Sequence, residues 1–303
     1  MNTNTICTVS EIELKINNLF STVNSNEDFP LVYQTAEELK NLCKRNVITD
    51  QEVHSYLKSN DASFLENSLI GHSLRKPYGY TGDFEFINKV YDKSITSIPQ
   101  FQLWDKFIQS LACSTAVRNR RAYFSELVSS LFNDQEKFSI LNLASGPARD
   151  LLDVYTQTED SERLYTTCID MDPEAIKFGK KVNAEYSNQI EFIEKNIFRF
   201  QTEEKFDLIW SAGLFDYFDD KTFIRLMKRI KQWIKPGGSI VIGNFNEDNN
   251  PSRWVMELFG DWYLHHRTEV QLTNLAIEAG FNRVSVSIGR ENQNINLFLT
   301  IRA

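Results

Sequence analysis

Apolar residues recur three and four positions apart through the first 130 residues, then give way to short apolar runs separated by polar turns. Glu11 to Phe20 sets Ile12, Ile16, Leu19 and Phe20 on one face, the period of an amphipathic helix. Pro30 opens a second helical segment, PLVYQTAEELKNLCKR, and Asp50 to Leu69 gives a third. Gln100–Leu111 and Thr115–Phe132 continue the pattern. Leu74–Phe86, LRKPYGYTGDFEF, interrupts it with Pro77, Gly79 and Gly82 and is expected to be a loop, with Asp83 capping the helix that follows.

After Asn133 the apolar runs Phe138–Leu143, Leu164–Ile169, Ile190–Ile193, Phe206–Trp210 and Ser239–Asn244 read as strands. Helical runs lie between most of them, at Arg149–Tyr155, Glu174–Glu185 and Lys221–Ile234. That alternation implies a doubly wound α/β fold with a mostly parallel sheet. Val270–Ala279 is helical, and Phe281–Ile288 and Asn296–Ile301 are two further strands. They stand too close for a parallel crossover, so the sheet is expected to end with one antiparallel strand. The expected division is a helical domain over residues 1–133, serving as lid and substrate wall, and a cofactor-binding domain over 134–303.

The 303 residues carry a net charge of −8, which argues against binding a phosphate backbone. Cys7, Cys43, Cys113 and Cys168 form no CxxC pair, as in a reduced chain. The N-terminal stretch is polar, and no apolar run approaches the ~18 residues of a membrane span. A cytoplasmic protein with no nucleic-acid partner and no membrane span is expected.

Candidate chemistry concentrates in ILNLASGPARDLLD, Ile140–Asp153, where a strand runs through a small-residue turn into a helix. Gly146 is expected to hold the positive φ or closest backbone approach. Ala144 and Ala148 are read as positions needing room rather than dihedral freedom, and Pro147 as part of the first helical turn. The spacing is not GxGxxG, so a pyrophosphate is disfavoured relative to a smaller charged group such as a carboxylate or sulfonium. Asp170 ends the second strand, placed to accept the hydroxyls of a ribose. Asp172, before Pro173, is placed to cap the next helix. Asn196 follows the third strand, where an amide would meet an adenine edge.

This ordered set resembles the class I S-adenosylmethionine-dependent methyltransferases over about residues 136–303. LNLASGPARD is similar to the family's first motif, LDxGxGxG, from which Asn142, Ala144 and Ala148 depart. FDLIWSAGLFDYF and IKPGGSIVIGNF resemble its fourth strand with loop and its turn into the fifth strand. The resemblance implies a seven-stranded sheet with its last strand antiparallel, and S-adenosyl-L-methionine as cofactor. It implies cofactor contacts from Ala144, Ser145, Gly146, Asp170, Met171, Asn196 and Ile197, to which Tyr80 and Arg118 of the helical region are added. KPYGYTGDFEFINKVYD and NPSRW…DWYLHHRTEVQL are similar to a bacterial subfamily associated with 3-hydroxy fatty acid methyl ester synthesis, which implies an acyl carboxylate acceptor.

Methyl transfer is an in-line displacement, so the chain's task is to align the acceptor, with a base where the acceptor carries a proton. Asp216, in the loop after the fourth strand, and His265 are the acid–base candidates. Tyr217, Asn244, Arg253 and Arg267 are the candidate contacts for a small-molecule acceptor, with an arginine suited to a carboxylate. Arg120 and Arg121, with Arg118, are read mostly as a solvated helix face. His265 and His266 lack partners at ligand spacing, so no metal is expected. NPPY is absent, which disfavours nucleobase or glutamine amides. The alternatives are a small-molecule N-methyltransferase, an aminopropyl transferase using Asp216, Asp219 and Asp220, and a cofactor binder without turnover.

Overall fold

A computed structural model describes residues 3–132 and 136–303, with the side chains of residues 3–10 and 60 also outside the described set. The Cys7 side chain and the expected domain boundary at 133/134 therefore lie outside the described set. The chain begins with α1 (Thr3–Thr22), α2 (Phe29–Lys44), α3 (Asp50–Asn60), α4 (Ala62–Asn67), α5 (Leu69–Arg75), α6 (Phe84–Tyr91), α7 (Gln102–Ser110) and α8 (Ala112–Leu131). There follow β1 (Phe138–Leu143), α9 (Arg149–Gln157), β2 (Leu164–Asp170), α10 (Pro173–Val182), β3 (Ile190–Glu194), β4 (Phe206–Ser211), α11 (Asp220–Ile230) and β5 (Ile234–Phe245). The chain closes with α12 (Arg253–Gly260), α13 (Glu269–Glu278), β6 (Val286–Arg290) and β7 (Asn296–Arg302).

Two compact units result. One comprises residues up to 115 with 251–263, the other 116–250 with 264–303. The first is helical, and Phe20, Phe64, Phe101 and Trp104 meet in its aromatic core. The segment expected as one helix from Asp50 to Leu69 is broken twice. Asp61 accepts the N–H groups of Ser63 and Phe64, and Ser68 accepts that of Gly71. Each thereby starts a new helix inside an unbroken apolar period. α12 packs on α2, α3 and α5, which is why 251–263 belongs to this unit rather than to the sheet.

In the second unit seven strands pair in the order β3-β2-β1-β4-β5-β7-β6. β7 is antiparallel to β5 and β6, and the other pairings are parallel. Alternation within strands feeds two apolar layers. Leu141, Ile209 and Ile242 join Phe223, Leu226 and Leu272 of α11 and α13 on one face. Phe138, Leu208 and Trp210 join Phe124 and Val128 of α8 and Leu151 and Val154 of α9 on the other. Burial of Phe124 and Val128 in that layer ties α8 to the sheet. β6 starts later than expected, because Asn282 caps a short 3-10 turn, Arg283–Ser285, ahead of it.

Asp172 caps α10, accepting from the N–H groups of Glu174 (2.9 Å) and Ala175 (3.3 Å), with Pro173 in the first turn. Asp172→Ala is expected to lower stability by about 1 kcal/mol in urea titration, the usual worth of an N-cap. Cofactor affinity should stay within threefold of native, and a larger loss would make Asp172 a ligand contact.

Candidate cofactor and active site

The β1–α9 loop departs from ideal backbone at three positions. Ala144, Gly146 and Ala148 have φ of 49°, 51° and 51°. The two alanines were expected to need only room. Both instead take the left-handed conformation, which costs an L-residue roughly 1–2 kcal/mol. Pro147 is not in the first helical turn either. It sits in the turn before α9, whose first residue is Arg149 and whose cap position is Ala148.

Hydrogen bonds hold this strained loop from its neighbours. Ser145 N–H donates to the Ile169 carbonyl (3.2 Å), and Gly146 N–H donates to Asp170 Oδ2 (2.7 Å). The buried Asn183 side chain donates to the Pro147 carbonyl (3.1 Å). Gly179 lets α10 come close, since a Cβ there would stand 3.0 Å from Pro147 Cα and 2.8 Å from the Phe192 ring. Ala144→Gly should relieve part of the strain and raise stability by about 0.5–1 kcal/mol after the entropy cost of glycine. Chemical denaturation of that variant checks it, and a destabilised variant would contradict it.

Asp170 is half-buried at the end of β2. Its Oδ1 accepts the N–H of Asp172 (2.9 Å) while Oδ2 takes that of Gly146. Burial raises its pKa, opposed by these two N–H groups. Each oxygen retains capacity for a second donor, which fits the two hydroxyls of a ribose. Met171 beside it is 68% exposed, an apolar surface that a purine would cover. Asn196 is exposed after β3, and its Oδ1 accepts from Phe198 N–H (2.9 Å), leaving the amide nitrogen as donor. Ile197 is buried next to it. Ala144, Ser145, Gly146, Asp170, Met171, Asn196 and Ile197 thus come from the carboxyl ends of three adjacent strands. Such strand ends form the ligand crevice of open α/β sheets. Bound there, S-adenosylmethionine would find a loop for its amino-acid tail, an acid for its sugar and an amide for its base, so these residues fit it.

The other half of the crevice follows β4, where a 3-10 turn spans Phe215–Tyr217. Asp216 is 3% exposed. Its Oδ1 accepts the N–H of Phe245 (2.8 Å), and its backbone carbonyl accepts the N–H of His265 (2.7 Å). Burial pushes its pKa up to about 7, against the opposing pull of Phe245 N–H, Arg267 and Arg120. Tyr217 is 38% exposed on the same turn.

Arg118, Arg120 and Arg121 were expected on a solvated face, yet all three are half-buried. Arg121 forms a bidentate pair with Asp153 (2.8 and 2.6 Å). Arg120 Nη1 lies 3.1 Å from where a side chain on Gly213 would begin. Arg120 also favours the ionised forms of both Asp150 and Asp216. Asp150 was missed by sequence reasoning. It is buried in the first turn of α9, and its Oδ2 accepts the Trp210 indole N–H (3.0 Å). The available signal was Trp210 itself, because an indole N–H on a buried strand needs an acceptor.

Several expected substrate contacts have structural duties instead. Arg267 is 3% exposed and spends its guanidinium on Asp220, the Phe215 and Phe218 carbonyls and Asn244 Oδ1. Asn244 is fully buried, and its amide nitrogen donates to the Phe245 and His265 carbonyls. Neither has a polar group to offer an acceptor. Arg253 lies in the helical unit, bonded to Glu257 (2.9 Å). Tyr80 is in that same unit and 38% exposed.

The His265 side chain is exposed. His266 is buried, with Nδ1 on the Leu264 carbonyl (3.2 Å) and Nε2 facing Asn250 Nδ2 (3.0 Å). Asp219 caps α11 and Asp220 pairs with Arg267. They do not form the acidic cluster that aminopropyl transfer would want. Among the described residues no group of three His, Cys, Asp or Glu could hold a metal, and no helix is long and apolar enough to cross a membrane.

Residues 140–238 match the family model described as a methyltransferase domain. None of the curated proteins matches the chain. Three solved structures share the fold. A possible exported protein from Bordetella parapertussis is 17% identical, with a TM-score of 0.63 over 99% of this chain and 97% of that one. A protein from Nostoc punctiforme PCC 73102 is 15% identical, with a TM-score of 0.53 over 80% and 71%. The pyocyanin biosynthetic protein PhzM is 13% identical, with a TM-score of 0.51 over 76% and 64%. Residues 140–238, from β1 to the start of β5 on a sheet of this strand order, thus match a methyltransferase domain.

Proposed function

We propose that the enzyme methylates a hydroxyl or amine of a small molecule, with Asp216 taking the acceptor's proton. The observation that carries this is the buried Asp216 carboxylate, whose pKa of about 7 suits a base working near neutrality. S-adenosylmethionine supplies the electrophilic methyl group when bound. The chain's own residues then have separate tasks. The 144–148 loop receives the amino-acid tail, and Asp170 and Asn196 orient the nucleoside. Arg120, close to both Asp150 and Asp216, balances the two buried carboxylates and keeps Asp216 able to ionise. Positioning of this kind can supply several kcal/mol of the barrier reduction.

A carboxylate acceptor, as the fatty-acid resemblance implies, wants a cation with donors to spare. Arg267 offers none, and Arg253 is engaged by Glu257. A hydroxyl or amine needs a base instead, and Asp216 has the protonation behaviour of one.

A panel of small acceptors assayed with methyl-labelled cofactor tests the proposal. Hits should be alcohols, phenols or amines. Their kcat/KM should rise with pH to a plateau above about pH 7, because Asp216 must lose its proton to act. Hits confined to carboxylic acids, or a rate flat from about pH 5 to 9, would contradict a base of this kind.

A further inference from the structure

On the sheet unit, away from the site described above, a cavity of 410 Å³ is lined by Arg225, Lys228 and Arg229 of α11 and by Thr202, Gln232 and Trp233. Residues 201–205 lead into the amino end of β4, whereas the cofactor residues follow carboxyl ends. The six-residue strand alone separates the two edges by about 20 Å. The three cations are spaced i, i+3 and i+4, which gathers them on one side of the helix.

Among the described residues none of the three pairs with a carboxylate. Arg225 lies over the Phe198 ring (4.6 Å) and Arg229 over Trp233 (5.6 Å). Arg229 also donates to the Phe200 carbonyl, yet its Nε is buried without an acceptor. Glu203 lines the cavity as well. Lys228 and Arg229 suit the negative end of the α11 dipole, but that role requires neither a concavity nor a buried unpaired donor. Three like charges held together repel, and an anion would relieve the repulsion while supplying the missing acceptor.

We propose that this cavity is an oxyanion site that takes phosphate, free or as the monoester of a small molecule. The chain's net charge of −8 and the concave shape favour a compact anion over a nucleic-acid backbone. Isothermal titration of the full chain at fixed ionic strength tests it, with sodium phosphate in one arm and glycerol 3-phosphate in the other. Saturable binding is expected in at least one arm, weakened at least tenfold in both Lys228→Gln and Arg225→Gln. Affinity for S-adenosylhomocysteine should be unchanged in both variants. Lys228 and Arg225 are exposed, so both variants should fold, and circular dichroism checks that they do. A monoester at least tenfold tighter than phosphate would assign a phosphorylated metabolite, and equal affinities would assign the free ion. No saturable binding in either arm, or variants that bind as tightly as the native chain, would overturn the proposal.

Discussion

Replacing Asp170 by alanine is expected to weaken S-adenosylhomocysteine binding at least tenfold, measured by calorimetry. Two losses add. The ribose loses a charged acceptor, and a hydrogen bond to a charged group is worth about 1.5–3 kcal/mol. The Gly146 N–H also loses its 2.7 Å partner, which frees a loop already strained at Ala144 and Ala148. Even the lower figure for the ribose corresponds to about tenfold. Asp170→Asn separates the two effects, because its amide oxygen can still accept one N–H while the charge is gone. It should fall between alanine and native. Native affinity in the alanine variant would mean that the ribose lies elsewhere.

Asp216→Asn is expected to lower kcat/KM by about 10²–10⁴ with a hydroxyl or amine acceptor, the usual worth of a positioned base. The same change should make the fold more stable at pH 8. Between the unfolded pKa of 3.8 and the folded value of about 7 the native state binds a proton that the unfolded chain does not. Stability therefore falls as pH rises through that window and levels off above it. The gap corresponds to about 4 kcal/mol at most, and the asparagine variant lacks it while keeping an oxygen for Phe245 N–H. Urea titrations of both proteins at pH 5 and pH 8 measure the difference. A variant less stable at pH 8, or one with native turnover, would remove Asp216 from this role.

How far the sequence revealed this site depends on what kind of information each part needs. Strand ends were legible because apolar runs stop where the chain leaves the core. The runs Phe138–Leu143 and Leu164–Ile169 therefore put Gly146 and Asp170 just past strand ends, and β1 and β2 end at Leu143 and Asp170. Asp172 was legible as a cap because its partners lie two and three residues away. The dihedrals of Ala144 and Ala148 were not, since alanine normally advertises an ordinary backbone, and only the packing of Gly179 and Asn183 shows what enforces the turn.

Arg267 and Asn244 looked like ligands because free polar groups and mutually satisfied ones are the same letters in a sequence. Their partners, Asp220 and the Phe215, Phe218 and His265 carbonyls, are 21 to 52 residues distant. The Trp210–Asp150 bond was hidden the same way across 60 residues. The helix expected over Asp50–Leu69 shows the converse failure, where Asp61 and Ser68 act as local caps within a continuous hydrophobic period.

A crystal structure with S-adenosylhomocysteine bound tests the central assignment most directly. The ribose hydroxyls should lie within hydrogen-bonding distance of Asp170, with the amino-acid tail on the 144–148 loop. A nucleoside found away from the carboxyl ends of β1 and β2 would contradict it.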